Sequence, residues 1–513
     1  MSRPESSSLV CGLLGCVFAA STLLWLKLDR TPPNWDDAWY LTNSLAVYDA
    51  LTQGGVVGYL TKLNSVFGFK APLIAALPTG FYLLLGRHWH AAYLVNIVAM
   101  WALFAALYRI AKRWWSARAA VFAIAIAGTM PLLYGLARWY MVEYVLTALV
   151  AVAACVLIES DGLKRERHVV LFGAICGLGL LLKISFPLFI LPLFVYIWVT
   201  SDRRGRPLLL AALPCLFLAL PWYAGHFKAT VANALDAGFG APAAIQGTGP
   251  VFSISTITTY FSHVAENGIS WYFCFLAVAL SLCAVVRRQP TKKTAAPLLL
   301  AWLLPLVFFV FGGNKDVRYI APVLPAAALV LAGLLDAALP RSGKGLAAAS
   351  ILLAFPMLQM FAISFGVPYT TKDGGYARRF SREAWPHDEI LKLLAANTSL
   401  RYGEKRMLLM GADRGSFNAD NLELSVVALR MPFNVETTAH EKQLETLRQR
   451  LAQTDFFIYK EGGEPESPAF NPHIDELVRS VVDDRRFQRI PYGRRLPDGG
   501  IAHIYKNLTP GHP

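Results

Sequence analysis

Eleven apolar runs, most of them near the length a helix needs to cross lipid, decide what this chain is able to fold into. A hydrocarbon core about 30 Å thick takes roughly 20 residues of helix, and helices or closed barrels are the structures that satisfy every backbone polar group there. The runs lie at 9–26, 90–110, 119–136, 142–158, 169–182, 186–200, 207–225, 269–286, 295–312, 319–339 and 346–366. Charged residues make up 16% of the chain against about a quarter in soluble domains, which also marks an integral membrane protein. The first run has the length of a signal peptide, but no small-residue cleavage site precedes Leu26 and ten further runs follow, so it is expected to be a span. Pro187 and Pro192 make the junction of the fifth and sixth runs the weakest.

The formal charge of +14 invites a nucleic-acid reading until the basic residues are located. They fall mostly in short loops and in the polar tail, so nucleic acid is not expected as a partner. With the N-terminus cytoplasmic, alternate loops hold Lys112, Arg113 and Arg118; Lys164, Arg165 and Arg167; Arg203, Arg204 and Arg206; Arg287, Arg288, Lys292 and Lys293; then Arg341 and Lys344. That pattern satisfies the positive-inside rule and puts loops 27–89 and 226–268, with the tail 367–513, outside. The seven cysteines all precede residue 284 and lie in apolar stretches, which gives neither a disulfide framework nor a metal spacing. In the tail, strand-like runs at 407–410, 455–459 and 501–505 alternate with helical patterns near 383–396, 417–431 and 439–452, which predicts an α/β domain.

Polar residues with chemical potential cluster in the outer loops. Asp36 and Asp37 begin an amphipathic pattern with Leu41, Leu45 and Tyr48 on one face. Helix capping explains such a pair, and so does a base or metal ligand kept ionised by the helix end. Lys70 precedes the stretch 73–85, which at 13 residues with Pro78 and Gly80 reads as interfacial or re-entrant; Lys70 then either snorkels to headgroups or binds a phosphate. His88 and His90 flank Trp89 and read as interfacial, with contact to a donor as the lesser alternative. Glu143 stands at the outer end of a span, where Arg138 offers a pairing partner at poor helical spacing; a divalent cation or polar substrate would use the same carboxylate. Lys315, Arg318 and Tyr319 fit phosphate binding or an aromatic belt equally well. Lys183, in the weak junction, reads as another outer-interface residue.

These motifs resemble the polyprenyl-phosphate-dependent glycosyltransferases of the GT-C class, the group containing protein O-mannosyltransferases and the lipid A aminoarabinose transferases. Asp36-Asp37-Ala38-Trp39-Tyr40 is similar to the family's first-loop acidic pair, with Asp where Glu is usual. Lys70-Ala71-Pro72 resembles its Lys-Pro-Pro, the segment Arg138 to Glu143 its second-loop acidic pattern, and Arg318-Tyr319 with Pro322 and Pro325 its late outer loop. The likeness spans most of residues 30–340, and the tail resembles the outer domain of the bacterial lipid-modifying members, including the turn Leu496-Pro497-Asp498-Gly499. It implies a GT-C transmembrane catalytic domain at 1–366, interfacial helices in the first outer loop and a periplasmic α/β domain at 367–513. It also implies an inverting enzyme of the bacterial inner membrane that moves a sugar from an undecaprenyl-type phosphate to a lipid, glycan or protein acceptor. In that scheme Lys70, Arg318 and Tyr319 hold the donor phosphate, Asp36 or Asp37 is the base, and Glu143 positions the acceptor or, with Asp36, holds a Mg or Mn ion. A transporter or lipid flippase is the competing expectation; it calls for ionisable residues near the bilayer midplane and paired repeats, and no internal symmetry is visible.

Overall fold

The computed structural model describes residues 4–203, 205–240, 243, 250–286, 295–366, 375–398, 404–464, 470–492 and 494–511. Arg204 and the cluster Arg287, Arg288, Lys292 and Lys293, which helped to set the expected orientation, lie outside the described residues, as does the expected domain boundary at 367. Packing divides the chain into two compact units. The first comprises Met1–Lys27, Leu60–Pro78 and Ala92–Phe380, and the second Leu28–Tyr59, Thr79–Ala91 and Ser381–Pro513. Residues 28–59 and 79–91, between the first two long apolar helices, therefore belong to the same unit as the C-terminal α/β region.

In the first unit all eleven apolar runs are helical. Six helices among the described residues are long and apolar enough to cross a membrane: Ser7–Leu28, Trp89–Trp114, Val142–Glu159, Gly205–Phe239, Val317–Ala338 and Gly343–Gly366. A bent pair, Ile254–Ile269 with Trp271–Val286, turns through 98° and forms a seventh if taken as one span. The other runs form shorter helices, interrupted where the sequence supplies a breaker. Pro131 starts a new helix after Met130, and Pro305 does the same after Leu304. Pro187 sits in the first turn of Phe186–Thr200, where its missing N–H costs nothing, so the weak junction is a tight turn between two helices. Glu166–Leu182 packs on Gly205–Phe239 through glycine. A Cβ at Gly173 would lie 2.1 Å from the Ala211 carbonyl oxygen, and one at Gly177 would lie 2.9 Å from that of Cys215. Small residues four apart allow such backbone approach in lipid.

In the second unit a five-stranded sheet runs in the order β2-β1-β3-β5-β4, with β1 Arg406–Met410, β2 Phe433–Thr437, β3 Phe456–Glu461, β4 Phe487–Ile490 and β5 Ile501–Asn507. β1 is parallel to β2 and β3, and β5 is antiparallel to β3 and β4. The two parallel pairings are joined by helices Ala419–Leu429 and Leu444–Gln453, as parallel neighbours require. Alternation along β1 sends Leu408 and Met410 to a core with Ile390, Leu394, Phe417 and Leu422, and Leu409 to one with Leu447, Leu451 and Leu477. The helix Trp35–Ser65 opens with Asp36 and Asp37 and kinks at Gly55, whose φ is 60°. Leu41 and Leu45 are fully buried and Tyr48 half-buried, as the amphipathic pattern predicts. The apolar stretch 73–85 forms two short helices, Leu73–Ala76 and Thr79–Leu85, neither of which reaches across lipid.

Candidate active site

The first unit collects four charged side chains at helix ends, each placed there by a local break. Glu143 is in the first turn of Val142–Glu159, behind the extended Met141. Lys183 ends Glu166–Leu182 in extended conformation, and its carbonyl accepts the N–H of Phe186, which closes the turn. Arg318 lies in the first turn of the 3-10 helix Val317–Val323, whose N-cap Asp316 accepts the Arg318 N–H at 3.0 Å.

Lys183 Nζ lies 2.7 Å from Glu143 Oε1, and Arg318 Nε lies 3.9 Å from the same oxygen. Arg318 Nε is also 3.0 Å from Asp316 Oδ2. Tyr376 OH is within hydrogen-bond reach of both Asp316 oxygens, at 3.1 and 3.0 Å. The Tyr319 ring lies 4.5 Å from Lys183 Nζ and 5.2 Å from the Arg318 guanidinium, and its hydroxyl accepts from Arg318 Nη2 at 3.4 Å. Side-chain exposure is 5% for Glu143, 12% for Asp316 and 13% for Arg318, but 26% for Lys183, which makes Lys183 the most exposed charge of the four. Burial and the adjacent Asp316 push the Tyr376 phenol up, so it remains a proton donor. Burial also raises the Asp316 carboxyl, against the opposing pull of Arg318.

Lys70 is half-buried in the same unit. Its neighbour Ala71 packs with Ala219, Trp222 and Tyr223 and against Leu180, Leu181 and Ile184, and Ile184 directly follows Lys183. Tyr140 OH donates to the Ile74 carbonyl at 2.6 Å. The Lys70 segment is thus fastened to the chain that leads into Glu143 and to the turn that holds Lys183.

The remaining expected residues fall elsewhere. Arg138 is buried, donates to Ser364 Oγ at 2.8 Å and faces the rings of Trp25 and Tyr134, so its setting is a structural one. Lys315 Nζ donates to the Val310 carbonyl at 2.6 Å, closing the end of Pro305–Val310, and lies over Tyr260. In the second unit Asp37 is buried and Asp36 half-buried in the first turn of their helix. His88 and His90 are exposed there, with His90 stacked on Trp89 at 3.6 Å.

Sequence reasoning missed three members of the cluster. Lys183 carried a signal, a lone cation between two apolar runs, but its spacing pointed to no partner. Asp316 stands two residues before Arg318 and was legible only as context. Tyr376 is 60 residues from Asp316 and carried no signal.

A divalent cation wants carboxylate or carbonyl oxygens with spare negative charge. Both carboxylates of this cluster are matched by protein cations, and among the described residues no group of three His, Cys, Asp or Glu side chains is arranged to hold a metal. The cluster as arranged does not fit such an ion. Lys183 and Arg318 are equally matched by Glu143 and Asp316, so an arriving anion would have to compete with these carboxylates for the ammonium and guanidinium donors.

Residues 69–224 match the family model described as dolichyl-phosphate-mannose-protein mannosyltransferase. A curated relative, the undecaprenyl phosphate-alpha-4-amino-4-deoxy-L-arabinose arabinosyl transferase of Pectobacterium carotovorum, is 27% identical over 248 residues, covering 44% of this chain and 42% of that protein. The chain thus matches less than half the length of that relative. Among solved structures, ArnT from Cupriavidus metallidurans in the apo state superimposes with a TM-score of 0.58 at 15% identity over 95% of this chain and 97% of that one. The same protein bound to undecaprenyl phosphate gives 0.56. The oligosaccharyltransferase of Archaeoglobus fulgidus gives 0.52 at 11% identity over 88% of this chain and 69% of that one.

Proposed function

We propose that the chain is a membrane glycosyltransferase of the GT-C class, a reading supported by the family match, the curated relative and the shared fold, and that it moves a sugar from a polyprenyl phosphate to a lipid or glycan acceptor. The observation that carries this reading is the buried cluster of Lys183, Arg318, Glu143 and Asp316 at helix ends. A transporter would call for such charges within the spans rather than at their ends.

The chemistry follows from charge. A sugar–polyprenyl phosphodiester carries one negative charge, and the leaving polyprenyl phosphate carries a second. Lys183, Arg318 and Lys70 bind the phosphate and stabilise the charge that grows as the anomeric C–O bond breaks, with Tyr319 as the aromatic platform beneath the two cations. Glu143 and Asp316 hold those cations in place. One of Asp36 or Asp37 takes the proton of the acceptor hydroxyl while its oxygen attacks the anomeric carbon, so a single in-line displacement inverts the centre. Here Glu143 acts first as the anchor of Lys183, and contact with the acceptor is secondary.

In this reading residues 1–366 form the catalytic membrane domain with eleven spans, the N-terminus is cytoplasmic, and 367–513 lie in the periplasm of a bacterial inner membrane. The test is transfer of labelled sugar from undecaprenyl phosphate by the full chain carrying Asp36→Asn, Asp37→Asn, Lys70→Ala or Arg318→Ala, with insertion checked separately. A loss of a hundredfold or more in Arg318→Ala and in at least one Asp variant is expected; wild-type rates in all four would remove the site.

A further inference from the structure

The helix that carries the acidic pair is held by the C-terminal α/β region at two points. At its start, Trp35 Nε1 donates to Asp413 Oδ1 at 2.8 Å. Asn34 lies so close to Gly415 that a Cβ there would be 3.1 Å from the Asn34 amide nitrogen. Fourteen residues on, about 21 Å along the axis, Arg87 grips both oxygens of Asp49 at 2.6 Å. The same guanidinium donates to the carbonyls of Val427 at 3.0 Å and Ala428 at 3.3 Å. A further tie lies ahead of the helix, where Asp29 Oδ1 accepts the Ser381 N–H at 2.8 Å and Arg30 N–H donates to the Ser381 carbonyl at 2.7 Å.

The grip on Arg87 comes from the end of the helix Ala419–Leu429, and the grip on Trp35 comes from Asp413 in the turn that leads into that helix. Its N-terminus is closed by a reciprocal capping box between Asn418 and Asn421, and the turn before it is fixed by paired backbone bonds between Arg414 and Phe417. Its C-terminus stops at Arg430 in the left-handed region, φ 54°, whose N–H donates to the Val427 carbonyl at 3.3 Å, so Arg87 adds a second donor there. Arg87 uses two carbonyls of that end and neutralises its own charge on Asp49. A guanidinium is suited to this because its fork bonds several acceptors at once.

We propose that this two-point clasp, Arg87 with Asp49 at one end and Trp35 with Asp413 at the other, sets the position of Asp36 and Asp37, so that the C-terminal region tunes the base of the reaction. The proposal rests on the reading that one of the pair is that base. Arg87, Asp49, Trp35 and Asp413 are positioning residues, remote from the reacting atoms.

The test uses the full chain in nanodiscs, with transfer kinetics and amide hydrogen exchange on the same samples. Arg87→Ala is expected to lower kcat tenfold or more with the KM for donor within twofold, and to speed exchange at residues 36–50 at least tenfold while β1 and β3 stay protected. Arg87→Lys recovers only part, since an ammonium cannot span two carboxylate oxygens and two carbonyls. Trp35→Phe keeps the ring and loses the N–H, giving a severalfold fall, and Asp413→Asn, which keeps an acceptor oxygen, stays near wild type. These two mild variants carry the test if Arg87→Ala fails to fold. Unchanged exchange at 36–50 in both Arg87→Ala and Trp35→Phe overturns the clasp; faster exchange with unchanged kcat overturns its positioning role. If the wild type transfers no sugar from any polyprenyl carrier, the functional reading fails separately, and the exchange data still decide the clasp.

Discussion

Replacing Lys183 with Met removes the ammonium that lies 2.7 Å from Glu143 and keeps most of the side-chain volume. At an effective dielectric of about 20 the attraction across that distance is about 6 kcal/mol. Each ion gives up several kcal/mol of hydration to be there, so the intact pair contributes little net stability. The broken pair is different: a carboxylate left in place without its nearest cation costs about 3–5 kcal/mol. Arg318, at 3.9 Å from the same oxygen, takes up part of the charge and brings the expected cost to about 3 kcal/mol. Glu143→Gln strands Lys183 in the same way. The double variant Lys183→Met/Glu143→Gln leaves no stranded charge on this pair, so the two effects should fail to add by about 2–3 kcal/mol. Denaturation midpoints of the four proteins in one detergent measure this coupling. Transfer rates on the same samples should fall about a hundredfold or more in Lys183→Met, the cost of removing one donor from a developing charge. Additive stability effects would refute the pair as an energetic unit, and a Lys183→Met rate within threefold of wild type would refute its place at the phosphate.

Tyr376→Phe deletes the hydroxyl that reaches both Asp316 oxygens; a severalfold fall in transfer with insertion intact is expected, and an unchanged rate would free Tyr376 from any role in orienting Asp316. Burial pushes the His387 imidazole down to about 4, against the opposing pull of Asn421. The group stays neutral when folded and binds a proton when unfolded, so stability is full above about 6.5 and is lost as pH falls from there towards about 4, by about 3 kcal/mol. Hydrogen exchange at residues 387–396 should report this loss, and His387→Leu should flatten it; an equal pH response in the variant would reassign it. Millimolar chelator should leave transfer unchanged, because Lys183 and Arg318 supply the counter-charge. A loss restored by Mg or Mn would return Asp36 and Glu143 to a metal role.

The helices of the membrane unit were legible because lipid leaves the backbone few choices, and a run such as 142–158 states its own conformation. The strands at 407–410 and 501–505 were legible from their apolar content between turns, with β-branched Ile501 and Ile504 in the second, whereas β2 and β4 were not, since Phe433–Thr437 and Phe487–Ile490 are short and mix polar with apolar residues. The turn at Asp498 is a further success with a physical basis. Gly499 takes φ 84°, and Asp498 pairs with the deeply buried Lys460 at 2.6 Å. The charge cluster was half legible. Glu143 and Arg318 stood out as charges at span ends, but spacing alone could not say that Lys183, 40 residues on, would supply the cation that Arg138 seemed placed to give. Arg138 instead turns to Ser364, Trp25 and Tyr134, partners that only the packing of distant helices brings near. Membership of Asp36 and Asp37 in the unit of the C-terminal sheet had no local signature either, because Asp413 and Val427 lie more than 370 residues downstream of them.

The paired cations of Lys183 and Arg318 are the proposed seat of a lipid phosphate. Equilibrium binding of undecaprenyl phosphate to the purified full chain, compared among wild type, Lys183→Met and Arg318→Ala, addresses it without requiring the sugar or the acceptor to be known. Saturable binding that weakens at least tenfold in each variant, with folding preserved, is the expected result. Equal affinity in all three proteins would contradict the account.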